Sequence, residues 1–220
     1  GLDPERFEGY ASLGALHWLT DRNDEAISAL RRAIDLGPKE AHPHLTLAQV
    51  RADAGQLDAA RAELEAARQL IAAIEDDDLR NSTLAFAWHV EAYVWLAQGD
   101  DARALEAAQE TVELEDANPY SASLALSNIG ILHARARRYV EAIDYFECAR
   151  QMNPFLPQVG GALGRLLLVT HRYQRAAEVL GEATQNVLRD NGSTRHAYAT
   201  ALAKLNRREE ARTQYRQALG

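Results

Sequence analysis

The chain of 220 residues contains a single Cys, so an internal disulfide framework and any multi-thiolate metal site are excluded. Cys148 is expected to be a small buried hydrophobe. Proline and glycine are sparse, 6 and 13 residues, and only 7% of the chain is aromatic. The evenly spaced β-branched blocks of a sandwich or barrel are missing. No apolar run approaches the roughly 20 residues that span a bilayer, so membrane insertion is not expected. The opening GLDPER is charged and is no secretory leader, and with no Met it reads as a trimmed start. With nothing requiring an oxidising compartment, a cytoplasmic location is favoured. What remains is 47% apolar and 25% charged, the balance of a globular, mostly helical protein.

Positive charge is also scarce, and unevenly so. The net charge is −8, but residues 1–122 hold 10 Lys and Arg against 24 Asp and Glu, and residues 123–220 hold 14 against 8. An acidic total without a basic patch interleaved with aromatics argues against a nucleic-acid partner.

An internal repeat organises the chain. The strings DEAISALRRA, DAARAELEAA, DARALEAAQE, VEAIDYFECA, QRAAEVLGEA and EEARTQYRQA align at Ala26, Ala60, Ala104, Ala142, Ala176 and Ala211, spaced by 34, 44, 38, 34 and 35 residues. Each unit reads as two amphipathic helices with apolar residues at i, i+3, i+4 and i+7, joined by a short turn such as Asp21-Arg22-Asn23 or Gln98-Gly99-Asp100. Pro38, Pro119 and Pro154 punctuate unit ends, because Pro lacks the N–H that a helix interior needs. The units fall near 7–40, 41–74, 85–118, 123–156, 157–190 and 192–220, as one domain over 1–220. The ten extra residues of the long spacing fit in IAAIEDDDLRNS, near 71–84. There the preceding helix is expected to run long through Ile71 and Ile74, and Asp76-Asp77-Asp78 to cap the next helix.

These residues resemble the tetratricopeptide repeat family, whose unit reads W-x2-L-G-x2-Y, A-x3-F, P. Tyr10, Leu13, Gly14 and His17 with Ala26, Leu30 and Pro38 match it in the first unit; Leu126, Ile129, Gly130 and His133 with Ala142, Phe146 and Pro154 match it in the fourth. The third unit departs most, with Glu91 at the usual Leu and Ala108 at the usual aromatic. The resemblance implies an all-α, right-handed α-solenoid of about six helix-turn-helix units, in which small residues such as Gly14, Gly130 and Gly164 let paired helices nest.

Motifs for chemistry are missing. There is no phosphate-binding loop, no G-x-G-x-x-G, no H-E-x-x-H and no G-x-S-x-G. Gly160-Gly161-Ala162-Leu163-Gly164 lies inside a first helix and reads as close packing. Asp76-Asp77-Asp78 lacks the alternating ligands of a calcium loop. His42-Pro43-His44 reads as a helix start, and His17 and His133 fill the motif's Tyr slot. No enzyme activity, metal or cofactor is expected.

Function is expected on the inner wall. The resemblance assigns that wall to first helices, and so to a partner-binding groove of Trp18, Leu45, Gln49, Phe86, His89, Tyr93, Leu96, Ser127, Asn128, Ile131, Arg135, Arg165 and Leu168. In the third unit, Trp88, Ala92 and Trp95 make an apolar stripe expected to face the core. Phe86, His89, Tyr93 and Leu96 recur on a second face that either packs on neighbouring helices or anchors a ligand. Ala11 and Ala15 stand where some relatives place Lys and Asn to grip a C-terminal carboxylate. The chain is therefore expected to be a non-catalytic module that binds a peptide or helix of a partner protein. The alternatives are a scaffold that self-associates through its terminal repeats, since the last unit has no polar capping helix, and a regulatory segment of a larger protein.

Overall fold

The computed structural model describes residues 6–114, 119–154, 156–185 and 192–219. Among them are twelve helices and no strand: α1 (Phe7–Leu19), α2 (Asn23–Leu36), α3 (Ala41–Asp53), α4 (Leu57–Ile71), α5 (Asp77–Gln98), α6 (Asp101–Glu113), α7 (Pro119–Arg135), α8 (Tyr139–Met152), α9 (Pro157–Val169), α10 (Tyr173–Thr184), α11 (Gly192–Lys204) and α12 (Arg208–Leu219). This is an all-α helical repeat fold. The chain divides into two compact units, Gly1–Asn128 and Ile129–Gly220, with the boundary inside α7.

Each helix pair turns at one left-handed residue. Asp21, Gly55, Gly99, Arg137, His171 and Asn206 all have φ between 58° and 85°, and each stands five residues before its unit's register alanine. Gly takes this conformation without strain at Gly55 and Gly99, and Asn and Asp tolerate it, but Arg137 places a Cβ against its own carbonyl. Substituting Arg137→Gly is expected to stabilise the protein by about 0.5–1 kcal/mol, the relieved strain being partly offset by the greater freedom of Gly in the unfolded chain. A urea midpoint that fails to rise would contradict this origin of the strain.

Burial separates the two helices of a pair. The second helix α2 buries only Ala26, Ala29, Leu30 and Ala33, one stripe of an amphipathic rod. The first helix α3 buries nine of its thirteen residues, because it packs on α1, α2, α4 and α5. Close approach explains the small residues. A Cβ on Gly14 would lie 2.5 Å from Leu30 Cγ, one on Gly130 would lie 3.1 Å from the Phe146 ring, and one on Gly164 would overlap Leu180.

Three expectations need correction. α4 does not run long: it ends at Ile71, and the inserted residues lengthen the start of α5 to 22 residues. The reason is the N-cap, since Asp76 Oδ1 accepts a hydrogen bond from Leu79 N at 2.8 Å and starts the new helix early. Cys148 is exposed, for it lies beside the stripe of Ala142, Phe146 and Ala149 that α8 buries. Trp88 and Trp95 are half-buried rather than core. The Arg68 guanidinium covers Trp88 at 4.1 Å, while Arg103 and Arg61 lie 4.6 Å and 5.7 Å from the Trp95 ring centre. Glu91, at the unusual position of the third unit, accepts from Arg68 and from Trp95 Nε1. The core of this helix is instead made by Ala87, Val90 and Val94, packed with Leu45, Leu64 and Ile71.

Candidate functional site

Of the two compact units, Gly1–Asn128 (the first unit) and Ile129–Gly220 (the second unit), the first contains a cleft of about 420 Å³. Trp18 of α1, His42 and Gln49 of α3, Phe86 of α5 and Tyr120 of α7 line it. One wall is the insertion itself: Leu79, Ser82 and Thr83 come from the added N-terminal turns of α5. Leu79 is 55% exposed and Tyr120 46%, so large apolar surface faces solvent at the cleft mouth.

Polar bonds hold the lining residues Trp18 and Gln49 from behind. Asp53, at the end of α3, accepts from Trp18 Nε1 at 2.6 Å and from the Tyr93 hydroxyl, tying α1, α3 and α5 together. His89 is buried between two carboxamides: Gln49 Nε2 is 3.2 Å from its Nε2, and Asn128 Nδ2 is 3.3 Å from its Nδ1. Burial lowers the His89 pKa from 6.5 to about 4, so the ring is neutral. A neutral imidazole has one donor and one acceptor, so one carboxamide donates to it and the other accepts through its oxygen. The Phe86 ring stacks between His42 at 4.8 Å and His89 at 6.1 Å.

The lining holds no Lys, Arg, Asp or Glu. Its two titratable groups are both pushed toward neutrality by burial, His42 with a lowered and Tyr120 with a raised pKa. Such a surface suits an uncharged occupant, because a charge placed there would lose hydration without gaining a partner.

Of the thirteen groove residues expected from sequence, the structure brings Trp18, Gln49 and Phe86 to this cleft. Leu45 and Leu96 are core side chains, 0% and 5% exposed, because the first helices are covered on several sides. His89, Ser127 and Asn128 are buried, and Tyr93 is half-buried against Asp53. The second face of α5 therefore packs mainly within the protein. In the second unit, Ile131 and Leu168 are half-buried, and Arg135 and Arg165 are exposed. Sequence reasoning missed His42, Leu79, Ser82, Thr83 and Tyr120. The insertion beside an N-cap was the available signal for the α5 contribution, but the cap alone does not reveal which side of the helix meets solvent.

Among the described residues, no helix is long and apolar enough to cross a membrane. No group of three or more His, Cys, Asp or Glu among them is placed to hold a metal ion.

Paired helices with a small residue at each crossing and a repeated left-handed turn define a helical-repeat protein. Tetratricopeptide repeat profiles match residues 19–77 and 89–157, and the chain belongs to that family. It is 33% identical over 101 residues to the photosystem I assembly protein Ycf3 of Sorghum bicolor, covering 45% of this chain and 56% of that protein. With Ycf3 of Synechococcus elongatus the identity is 30% over 117 residues, covering 53% and 61%. The chain thus spans little more than half the length of these curated relatives. The solved structure of Pseudomonas aeruginosa PilF shares the fold, with a TM-score of 0.64, 19% identity, and 94% and 88% of the two chains covered. Tetratricopeptide repeats are protein–protein interaction modules.

Proposed function

We propose that the chain is a non-catalytic assembly module that receives an extended segment or helix of a partner protein in the cleft of its first unit. The observation that carries this reading is the neutral lining of that cleft, with exposed Leu79 and Tyr120 at its mouth and Gln49 bonded behind it to buried His89. An assembly role is further supported by the resemblance to Ycf3, named for photosystem I assembly. The occupant that fits is an uncharged segment presenting a bulky apolar or aromatic side chain, held by contact area and oriented by the hydroxyls of Ser82 and Thr83.

Panning a phage-displayed peptide library against the protein tests this. Selected peptides are expected to be neutral and rich in Phe, Leu or Trp. Leu79→Glu is expected to weaken them by about tenfold or more, because it sets a carboxylate beside an apolar ligand. Val169→Glu, an equally exposed position in the second unit, serves as the control. Equal affinity of the Leu79→Glu and parent proteins would remove the cleft from the binding site.

A further inference from the structure

Three hydroxyls that line the cleft have their protons engaged within their own helices. Thr46 Oγ1 lies 3.1 Å from His42 O, Ser82 Oγ lies 3.0 Å from Leu79 O, and Thr83 Oγ1 lies 2.7 Å from that same carbonyl. A carbonyl oxygen only accepts, so each hydroxyl is the donor, and a hydroxyl has one proton to give. These oxygens therefore offer an occupant lone pairs alone. The Trp18 indole is committed in the same way, because its one N–H donates to Asp53 at 2.6 Å. The contrast is sharpest on the α5 wall. Leu79 and Phe86 are apolar there, Ser82 and Thr83 can only accept, and no lining side chain of α5 has a free donor.

An occupant pressed against that wall displaces water from both half-buried hydroxyl oxygens. An acceptor buried without a donor costs more than an ordinary hydrogen bond contributes, so the occupant has to bring a proton. Leu and Phe cover the wall and bring none. Ser, Tyr, Asn and Gln bring a donor together with lone pairs of their own, for which the α5 wall has no proton. Lys and Arg bring donors only, but their charge meets no carboxylate in the lining. The tryptophan side chain is neutral and has a strong donor and no acceptor. Its ring also matches the apolar surface of Leu79 and Phe86. The field of the surrounding chain acts in the same direction, since residues 1–122 hold 24 Asp and Glu against 10 Lys and Arg, and the N–H edge is the positive end of an indole.

Resting on the reading that the cleft receives a partner segment, we infer that this segment is anchored by a tryptophan whose indole N–H donates to Ser82 Oγ or Thr83 Oγ1. The ring lies against Leu79 and Phe86. Ser82 and Thr83 are then the residues that select tryptophan over other bulky side chains, while Leu79 and Phe86 supply contact area to any of them.

Fluorescence anisotropy on the full chain with labelled peptides Gly-Leu-Xaa-Leu-Gly tests the inference. With tryptophan at Xaa, affinity is expected to be about three- to tenfold higher than with 3-benzothienylalanine, which keeps the bicyclic shape and replaces the N–H by sulfur; that ratio is the net worth of one hydrogen bond. Tyrosine and lysine at Xaa are expected to bind more weakly than tryptophan. Replacing Ser82→Ala together with Thr83→Val removes both acceptors, and on that protein the two bicyclic peptides are expected to bind alike. Each ratio compares two ligands on one protein, so a change in stability moves both equally. Equal affinity of the tryptophan and benzothienyl peptides for the parent overturns the indole anchor and leaves the neutral cleft in place. Tighter binding of the tyrosine peptide, or a preference that survives in the double variant, does the same. Tighter binding of the lysine peptide, or no binding of any of the four, overturns the cleft as a neutral docking site as well.

Discussion

Lowering the pH from 6.5 toward 4 is expected to remove about 3 kcal/mol of stability from the first unit through His89 alone. The unfolded histidine has a pKa near 6.5, whereas burial holds the folded one at about 4. Between those values the unfolded chain binds a proton that the folded chain refuses. The contribution is therefore complete above pH 6.5 and is lost as the pH falls toward 4. The groups facing the ring explain why no compensation occurs: Gln49 and Asn128 are uncharged, and Phe86 is apolar. His42, stacked on the far side of Phe86, has a pKa lowered by the same cause and adds to the loss in the same direction. Urea unfolding at a series of pH values measures the slope. His89→Gln keeps an amide between the two carboxamides and removes the titration, so its profile should be much flatter between pH 6.5 and 5. A parent profile as flat as that of the variant would show that His89 is not held neutral by the fold.

The repeat was open to reading because its constraints are local. A helix pair needs a small residue at the crossing, an apolar stripe and one turn, and the spacing of Ala26, Ala60, Ala104, Ala142, Ala176 and Ala211 records all three. The αL turns keep the same spacing even where Arg137 and His171 occupy them, so geometry dominates over residue preference there. The less legible features depend on neighbours distant in sequence. Trp88 and Trp95 look like core from periodicity, yet arginines from α4 and α6 cover them. Nothing in the spacing of α5 shows that Arg68 will arrive from another helix. The inserted residues posed a similar problem, since either flanking helix could have absorbed them; one hydrogen bond from Leu79 N to Asp76 decided it. For the cleft, Trp18, Gln49 and Phe86 could be named from their place in the repeat, whereas Tyr120 enters from the start of α7.

Leu45→Ala is expected to cost about 2–5 kcal/mol of stability and to leave the affinity for a cleft peptide unchanged while the protein stays folded. Its place in the unit had suggested a groove residue, but its side chain is 0% exposed. It packs in a cluster with Ala48, Leu64, Ala67 and Val90. Alanines around a deleted side chain have no rotamers with which to fill the space, and the helices that carry them are fixed by their own partners, so most of the cavity should persist. In a repeat protein the loss propagates through nearest-neighbour interfaces, and unfolding of the first unit is the sensitive readout. Leu45→Met nearly conserves volume and should cost less than about 1.5 kcal/mol. The pair of variants separates the two roles of this position. A groove residue would lose ligand affinity in Leu45→Ala with little change in the urea midpoint, whereas a core residue would lose the midpoint and keep the affinity. The depth at which Leu45 lies makes the second pattern the expected one.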